Sequence, residues 1–251
     1  MKRVILITGG SRGLGACLVH KLSADPMLMA ENGDGTTIIF TFVNSFENAL
    51  KLVSGSDNIY GIKCDQQDES QVKHCYETIF EKYGRLDVLI NNACSAFMPC
   101  DLISSGWDKF QNLLDTNVKG AYFHTREAAE IMKKQGSGRI VNILSSYVLN
   151  SPPEKISFYI TAKYALLGLT RSSAAELVKY GITVNAISPG LMETDLSGYL
   201  PRKYLEVYAS RHPMKRMTQP SDVADAAAYL ISDGAGFLNG INIPVNGGEA
   251  F

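Results

Sequence analysis

Short, continuous apolar runs alternate along the chain with longer stretches of helical period. The runs fall at residues 4–7, 37–42, 59–64, 86–90, 138–144, 181–187 and 239–245. Each is short, rich in Ile and Val, and lacks the apolar–polar alternation of a half-exposed strand, so each predicts a strand buried on both faces. Helical period is expected over 16–24, 46–53, 69–83, 107–130 with continuation to Met132, and 158–177. A last helix over 223–230 follows a cap at Gln219-Pro220-Ser221-Asp222. In the third of these, Val72, Tyr76, Ile79, Phe80 and Tyr83 share a face. Strand and helix in strict alternation predict an α/β fold: one domain over residues 1–251, with a doubly wound parallel sheet of about seven strands and helices on both faces. A ligand crevice is then expected at the carboxyl ends of the strands.

Two stretches break the alternation. Residues 25–37, with Pro26 and Asn32-Gly33-Asp34-Gly35, read as a long helix–strand connection. Residues 196–216 carry the weakest pattern and mix Tyr199, Tyr204 and Tyr208 with Arg202, Lys203, Arg211, Lys215 and Arg216. Glu206 and Asp195 dilute this basic, aromatic composition, so residues 191–216 are expected to form a substrate lid rather than a nucleic-acid surface.

The net charge of −1 gives no global field toward nucleic acid or anionic membrane. No apolar run approaches the ~20 residues of a membrane span, and Met1-Lys2-Arg3 leads directly into a strand, so a cytoplasmic chain is expected. The five cysteines, Cys17, Cys64, Cys75, Cys94 and Cys100, are odd in number and lack a C-x-x-C spacing, which fits a reducing compartment. His20, His74, His124 and His212 are scattered, so no metal site is expected.

Two stretches carry chemistry. After the first strand, Thr8-Gly9-Gly10-Ser11-Arg12-Gly13-Leu14-Gly15 opens the first helix. Glycines there let backbone approach a diphosphate, and the free N–H groups of a helix start face the anion. An acidic residue closing the second strand would hold the ribose hydroxyls of NAD. Thr41-Phe42-Val43-Asn44-Ser45 supplies none, and Arg12 is available for a 2′-phosphate, so the sequence favours NADP(H). The second stretch runs from the fifth strand through Ser145-Ser146 to Tyr159-x-x-x-Lys163. Four residues along a helix is about one turn, which puts the phenol and the ammonium on one face. A neighbouring cation favours the ionised phenol, so Lys163 is expected to lower the pKa of Tyr159. The spacing alone is weak evidence: Tyr199-x-x-x-Lys203 repeats it, but with Pro201 inside and no strand-end serine before it, that pair reads as chance. Asp65 closes the third strand as a helix cap or an adenine contact. Asn91-Asn92-Ala93 closes the fourth as a brace or a sugar contact. Asn117 is an interior polar residue that needs a partner.

Taken in order, Thr8-Gly9-x-x-x-Gly13-x-Gly15, Asp65, Asn91-Asn92-Ala93, Asn117, Ser145, Tyr159-x-x-x-Lys163, Pro189-Gly190 and Thr194 resemble the classical short-chain dehydrogenases/reductases, over essentially the whole chain. The Gly138–Ile143 lead-in and the Val-Asn-Gly-Gly close are similar too. The resemblance implies a Rossmann-like fold and an NADPH-dependent reduction of a ketone or β-keto group to a secondary alcohol. It assigns Tyr159 as proton donor, Lys163 as its partner and a holder of the nicotinamide ribose, Ser145 as the group that orients the carbonyl, and Asn117 as support for a proton path. Gly9, Ser11, Arg12, Gly13 and Leu14 would meet the diphosphate end, Asn44 the 2′-phosphate, Asp65 the adenine, Asn91 and Ala93 the ribose, and Met192 and Thr194 the nicotinamide amide or the diphosphate. The substrate would be a small-molecule or acyl-thioester carbonyl, and homotetramers or homodimers are implied.

The chain departs from the family pattern at Cys94, where glycine is usual, and at Asn246, where aspartate is usual. Counting along the strand selects Ser145, and counting back from Tyr159 selects Ser146. The strand register favours Ser145, because the loop with Pro152-Pro153 absorbs an insertion more readily. A 3-oxoacyl-carrier-protein reductase is an alternative, with Lys133, Lys134 and Lys179 as candidate docking groups, and a non-catalytic dinucleotide sensor is a reading of another class.

Overall fold

The computed structural model describes residues 2–25 and 35–250. Pro26 and Asn32-Gly33-Asp34, which carry most of the expected long connection, lie outside the described residues. A seven-stranded parallel sheet forms in the order β3-β2-β1-β4-β5-β6-β7. Its strands are β1 (Val4–Ile7), β2 (Thr37–Phe42), β3 (Ile59–Lys63), β4 (Val88–Asn91), β5 (Gly138–Ile143), β6 (Ile182–Pro189) and β7 (Asn242–Val245). Strand order reverses between β1 and β4, which opens a crevice at their carboxyl ends.

Alternation of side chains along β1 feeds two cores. Ile5 and Ile7 face α1 (Gly13–Ser23), α2 (Phe46–Val53) and α8 (Pro220–Ile231), against Leu18, Leu22, Leu52, Val223 and Leu230. Val4 and Leu6 face α3 (Glu69–Tyr83), α5 (Ala121–Gln135) and α6 (Ser157–Leu177), against Val72, Ile79, Ala128, Met132 and Ala174. Burying one such side chain stabilises the fold by roughly 1.5–3 kcal/mol, so a strand covered on both faces carries no polar alternation. All five cysteines are free thiols.

Helix ends follow local chemistry. The Asp68 carboxylate accepts from the Ser70 and Gln71 N–H groups at the start of α3, and Gly84 ends that helix at φ 66°. Phe80 departs from the expected buried face and is 46% exposed, with Cys75 taking its place in the core. The helix expected over 107–130 is divided. It runs as α4 (Trp107–Leu114), one wide π-helical turn (Asp115–Gly120), then α5. The Thr116 carbonyl on the wide turn accepts from Gln66 Nε2 at 2.6 Å, so a side chain after β3 supplies that partner. The weakly patterned stretch contains a 3₁₀ turn (Asp195–Ser197) and α7 (Arg202–Arg211), which starts just after Pro201. Pro201 therefore sets the helix boundary inside the Tyr199–Lys203 spacing. β7 begins three residues later than expected, because the Asn239 side chain rather than its backbone accepts from Val184 N–H.

Candidate active site

A cleft of about 930 Å³ opens at the carboxyl ends of the strands. It joins the glycine turn, the ends of β2, β3 and β4, the end of β5, the start of α6 and the segment after β6. Gly9, Ser11, Arg12, Gly13, Leu14, Asn44, Asp65, Ala93, Ser145, Tyr159, Lys163, Met192 and Thr194 all line it. Asn91 and Asn117 do not.

The glycine turn is locked from below. Thr8 Oγ1 accepts from the Asn92 and Ala93 N–H groups at 3.0 Å, and Asn92 Nδ2 donates to the Thr8 and Gly9 carbonyls. Gly9 adopts φ 64°, and a Cβ there would lie 2.9 Å from Ala93 Cα, so glycine is required by both strain and space. Gly13 also has positive φ, 54°, but a Cβ there would meet only Thr194, at 3.8 Å. The start of α1 therefore faces open cleft. Its N-cap residue, Arg12, makes no side-chain capping bond and reaches across to Asp195 at 3.5 Å. Free N–H groups, a helix N-terminus and the space a Cβ at Gly13 would take fit a dinucleotide diphosphate.

Asn91 is turned away from the cleft. Its Nδ2 donates to Asn142 Oδ1 at 2.8 Å and to Thr125 Oγ1 at 3.2 Å, so its amide braces β4 to β5 and α5. Of the two readings of the sequence, brace or sugar contact, these bonds make the brace. Asp65 sits in the cleft at the end of β3, with Oδ1 accepting from Gln67 N–H at 2.9 Å.

At the other end, α6 presents Tyr159 and Lys163 to the end of β5. Lys163 is 3% exposed, and its Nζ donates to the Ile143 carbonyl at 2.8 Å. Tyr159 is buried among Phe97, Ser145 and Cys94. Phe97 stacks on the Tyr159 ring with centroids 4.6 Å apart and planes 15° from parallel. Burial pushes the phenol well above its usual range, the nearby Cys94 thiol adds to this, and the Ser145 hydroxyl opposes it. Burial likewise pushes the Lys163 ammonium down. The phenol is thus raised rather than lowered in the chain alone, because burial is the largest influence on both groups. Ser145 lines the cleft, whereas Ser146 is 1% exposed and does not.

Asn117 lies behind this wall on the π turn, 1% exposed. Its Nδ2 donates to the Leu113 carbonyl at 3.0 Å, while its Oδ1 is buried without a partner among the described residues. Cys94 lines the cleft where the family pattern has glycine, its Sγ toward the Ser95 carbonyl. Lys133 and Lys179 gather around the Tyr180 ring at 4.9 and 5.2 Å. With Lys134 they precede β5 and β6, so they occupy the sheet edge opposite the cleft and do not border it.

Sequence reasoning gave no individual role to three residues that line the cleft, Phe97, Gln66 and Tyr199. Phe97 lies on an irregular segment with no periodic signal. Gln66 acts through two long-range bonds, from its Nε2 to the Ala93 carbonyl at 3.4 Å and to the Thr116 carbonyl. Tyr199, whose spacing to Lys203 reads as chance, falls in the stretch expected as the lid and lines the cleft with its ring 6.3 Å from that of Phe97, while Lys203 does not line it.

A parallel sheet with a glycine turn at its switch point and a Ser–Tyr–Lys wall in one cleft defines a Rossmann-like dinucleotide-binding oxidoreductase. A family model described as enoyl-(acyl carrier protein) reductase matches residues 28–249. The 3-oxoacyl-[acyl-carrier-protein] reductase of Staphylococcus aureus is 31% identical, over 99% of this chain and 98% of that protein. The levodione reductase of Leifsonia aquatica is 31% identical, over 99% and 94%. Among solved structures, a 3-ketoacyl-(acyl-carrier-protein) reductase from Brucella melitensis complexed with NADH superposes with TM-score 0.87 at 26% identity, covering 99% of this chain and 98% of that one. ElxO with NADP bound gives TM-score 0.85 at 31% identity, with the same coverage. The chain belongs to the short-chain dehydrogenase/reductase family and is an oxidoreductase of that family.

Proposed function

We propose that this protein reduces a ketone or β-keto group to a secondary alcohol with NADPH. The observation that carries the reading is the shared cleft: Ser145, Tyr159 and Lys163 line the same space as the glycine turn. Bound there, the dinucleotide supplies a hydride to the carbonyl carbon. Tyr159 Oη, a phenol that burial raises further above neutrality, gives its proton to the carbonyl oxygen. The Ser145 hydroxyl donates to the same oxygen and fixes its approach. Lys163, anchored on the Ile143 carbonyl, holds the nicotinamide ribose and keeps positive charge beside the phenol as it loses its proton. Asn117 acts from the π turn on the proton path behind Lys163.

Choice of NADPH over NADH rests on the end of β2, where Asn44 lines the cleft without a carboxylate, and on Arg12, whose exposed pairing with Asp195 leaves it within reach of a 2′-phosphate. Met192 and Thr194 hold the nicotinamide end, and residues 191–216 act as the substrate lid. Exposed Tyr122 and Tyr164, on α5 and α6, support assembly as a homotetramer or homodimer.

A second reading, reduction of a 3-oxoacyl group on a carrier protein, is favoured by the S. aureus and B. melitensis relatives. A panel of small ketones, enones and acyl-carrier thioesters, followed by NADPH oxidation, separates these reactions. Turnover of ketones with formation of the alcohol supports the proposal. Reduction of C=C bonds alone, or no turnover of any carbonyl while NADPH binds, overturns it.

A further inference from the structure

The substrate half of the cleft has a composition that narrows what it accepts. Among the described residues, five charged side chains line the whole cleft: Arg12, Asp65 and Asp195 on the dinucleotide side, and Glu154 and Lys163 on the other. Glu154 is exposed at the lip, and Lys163 is buried with its Nζ on the Ile143 carbonyl. The substrate half therefore presents no free cation for a carboxylate or phosphate. Its walls are aromatic instead. Phe97 lies flat on Tyr159 and meets Tyr199 at 57°, which makes a corner. Burial pushes the Tyr147 and Tyr199 phenols up, and the neighbouring Tyr204 adds to both. Rings at offset and tilted angles pack best against another flat ring, and tyrosines add hydroxyls that satisfy a neutral polar edge. The lysines expected to dock an acidic carrier lie at the opposite edge of the sheet.

We propose that the substrate is an uncharged ketone carrying an aromatic or alicyclic ring and taken up as a free small molecule. Its ring rests in the corner between Phe97 and Tyr199, and its carbonyl turns toward Tyr159 and Ser145. This rests on the ketone-reductase reading above. Phe97 is a specificity-determining residue through its flat face, not its bulk. A ring contact of this kind is worth up to roughly tenfold in affinity.

The test compares steady-state NADPH oxidation with tetralone, decanone of the same carbon count, a β-keto acid and an acetoacetyl-carrier thioester. Wild-type kcat/KM is expected to be several-fold, up to about tenfold, higher for tetralone than for each of the others. Phe97→Leu, which keeps bulk without a flat face, brings the tetralone-to-decanone ratio near one by raising KM for tetralone. Phe97→Tyr keeps the ratio. Preference for decanone, the acid or the carrier thioester overturns the inference, and so does an unchanged ratio in Phe97→Leu. Turnover with the wrong preference defeats this inference alone, whereas no turnover of any carbonyl defeats the reading beneath it and this inference with it.

Discussion

Lys163 Nζ lies 5.6 Å from the centre of the Tyr159 ring while donating to the Ile143 carbonyl at 2.8 Å. The strand end thus fixes the ammonium one helical turn from the phenol, and the pair enters the cleft as a unit. Two ionisable groups brought out of water together shift in opposite directions, the phenol up and the ammonium down, and both become neutral more readily than in solvent.

That opposition sets a pH dependence. Tyr159 keeps its proton above pH 10.0, where a solvated phenol has lost it. Over that range the folded chain holds a proton that the unfolded chain has released, so this group lowers stability as pH rises past 10.0. Lys163 acts in a separate window. Below its ordinary value of 10.5 the unfolded chain holds the extra proton, so stability from this group rises with pH there. In ultraviolet titration of the protein without dinucleotide, the difference between wild type and Tyr159→Phe is expected to show no phenolate absorbance below pH 10.0. A phenolate signal lost in the variant and titrating near neutrality contradicts this.

The two positive-φ glycines of the turn separate folding from binding. Gly9→Ala meets the Ala93 backbone at 2.9 Å and takes a strained φ, so it destabilises by more than the ~1–2 kcal/mol of left-handed backbone alone. Gly13→Ala carries the same backbone strain, but its Cβ enters the cleft. Urea unfolding is expected to show the larger loss for Gly9→Ala. Fluorescence titration is expected to show weakened NADPH binding for Gly13→Ala at temperatures where it remains folded. Equal stability loss with unchanged NADPH affinity in Gly13→Ala argues against the diphosphate at this helix start.

Asn44→Asp puts a carboxylate where β2 ends. Repulsion of a 2′-phosphate and a new acceptor for ribose hydroxyls are expected to lower NADPH affinity at least tenfold and to raise that for NADH. Titration of the variant with each dinucleotide checks this, and an unchanged NADPH-to-NADH ratio counts against the NADP(H) assignment.

Asn117→Ala removes the amide from the π turn and its bond to the Leu113 carbonyl. A stability loss of about 1 kcal/mol is expected from that bond. On the mechanism proposed, kcat falls by ~10²-fold or more while NADPH affinity stays within a few-fold. Chemical denaturation and steady-state kinetics read the two effects separately, and a loss of stability without loss of kcat reduces Asn117 to a structural brace.

Much of the fold is legible in the sequence because parallel strands covered on both faces leave unbroken apolar runs, as in Val4–Ile7 and Thr37–Phe42. The glycine turn and the Tyr159–Lys163 pair are legible because each depends on local spacing. What stayed hidden depends on distance in the chain. The stacking of Phe97 on Tyr159 joins an irregular segment to a helix, and the break at Asp115–Gly120 depends on Gln66, about fifty residues earlier, bonding the Thr116 carbonyl. Asn91 stays open between brace and sugar contact in the sequence for the same reason: whether an amide after a strand faces ligand or sheet is decided by Asn142 on the neighbouring strand. The fate of the Tyr159 proton was misjudged because charge proximity is visible in spacing and desolvation is not.

The most direct test is ketone reduction by Tyr159→Phe, with NADPH affinity measured on the same preparation. The variant keeps the ring stacked against Phe97 and removes only the hydroxyl. The account predicts a fall in kcat of ~10²–10⁴-fold with the NADPH Kd unchanged within a few-fold. Turnover within a few-fold of wild type, with NADPH still bound, contradicts it.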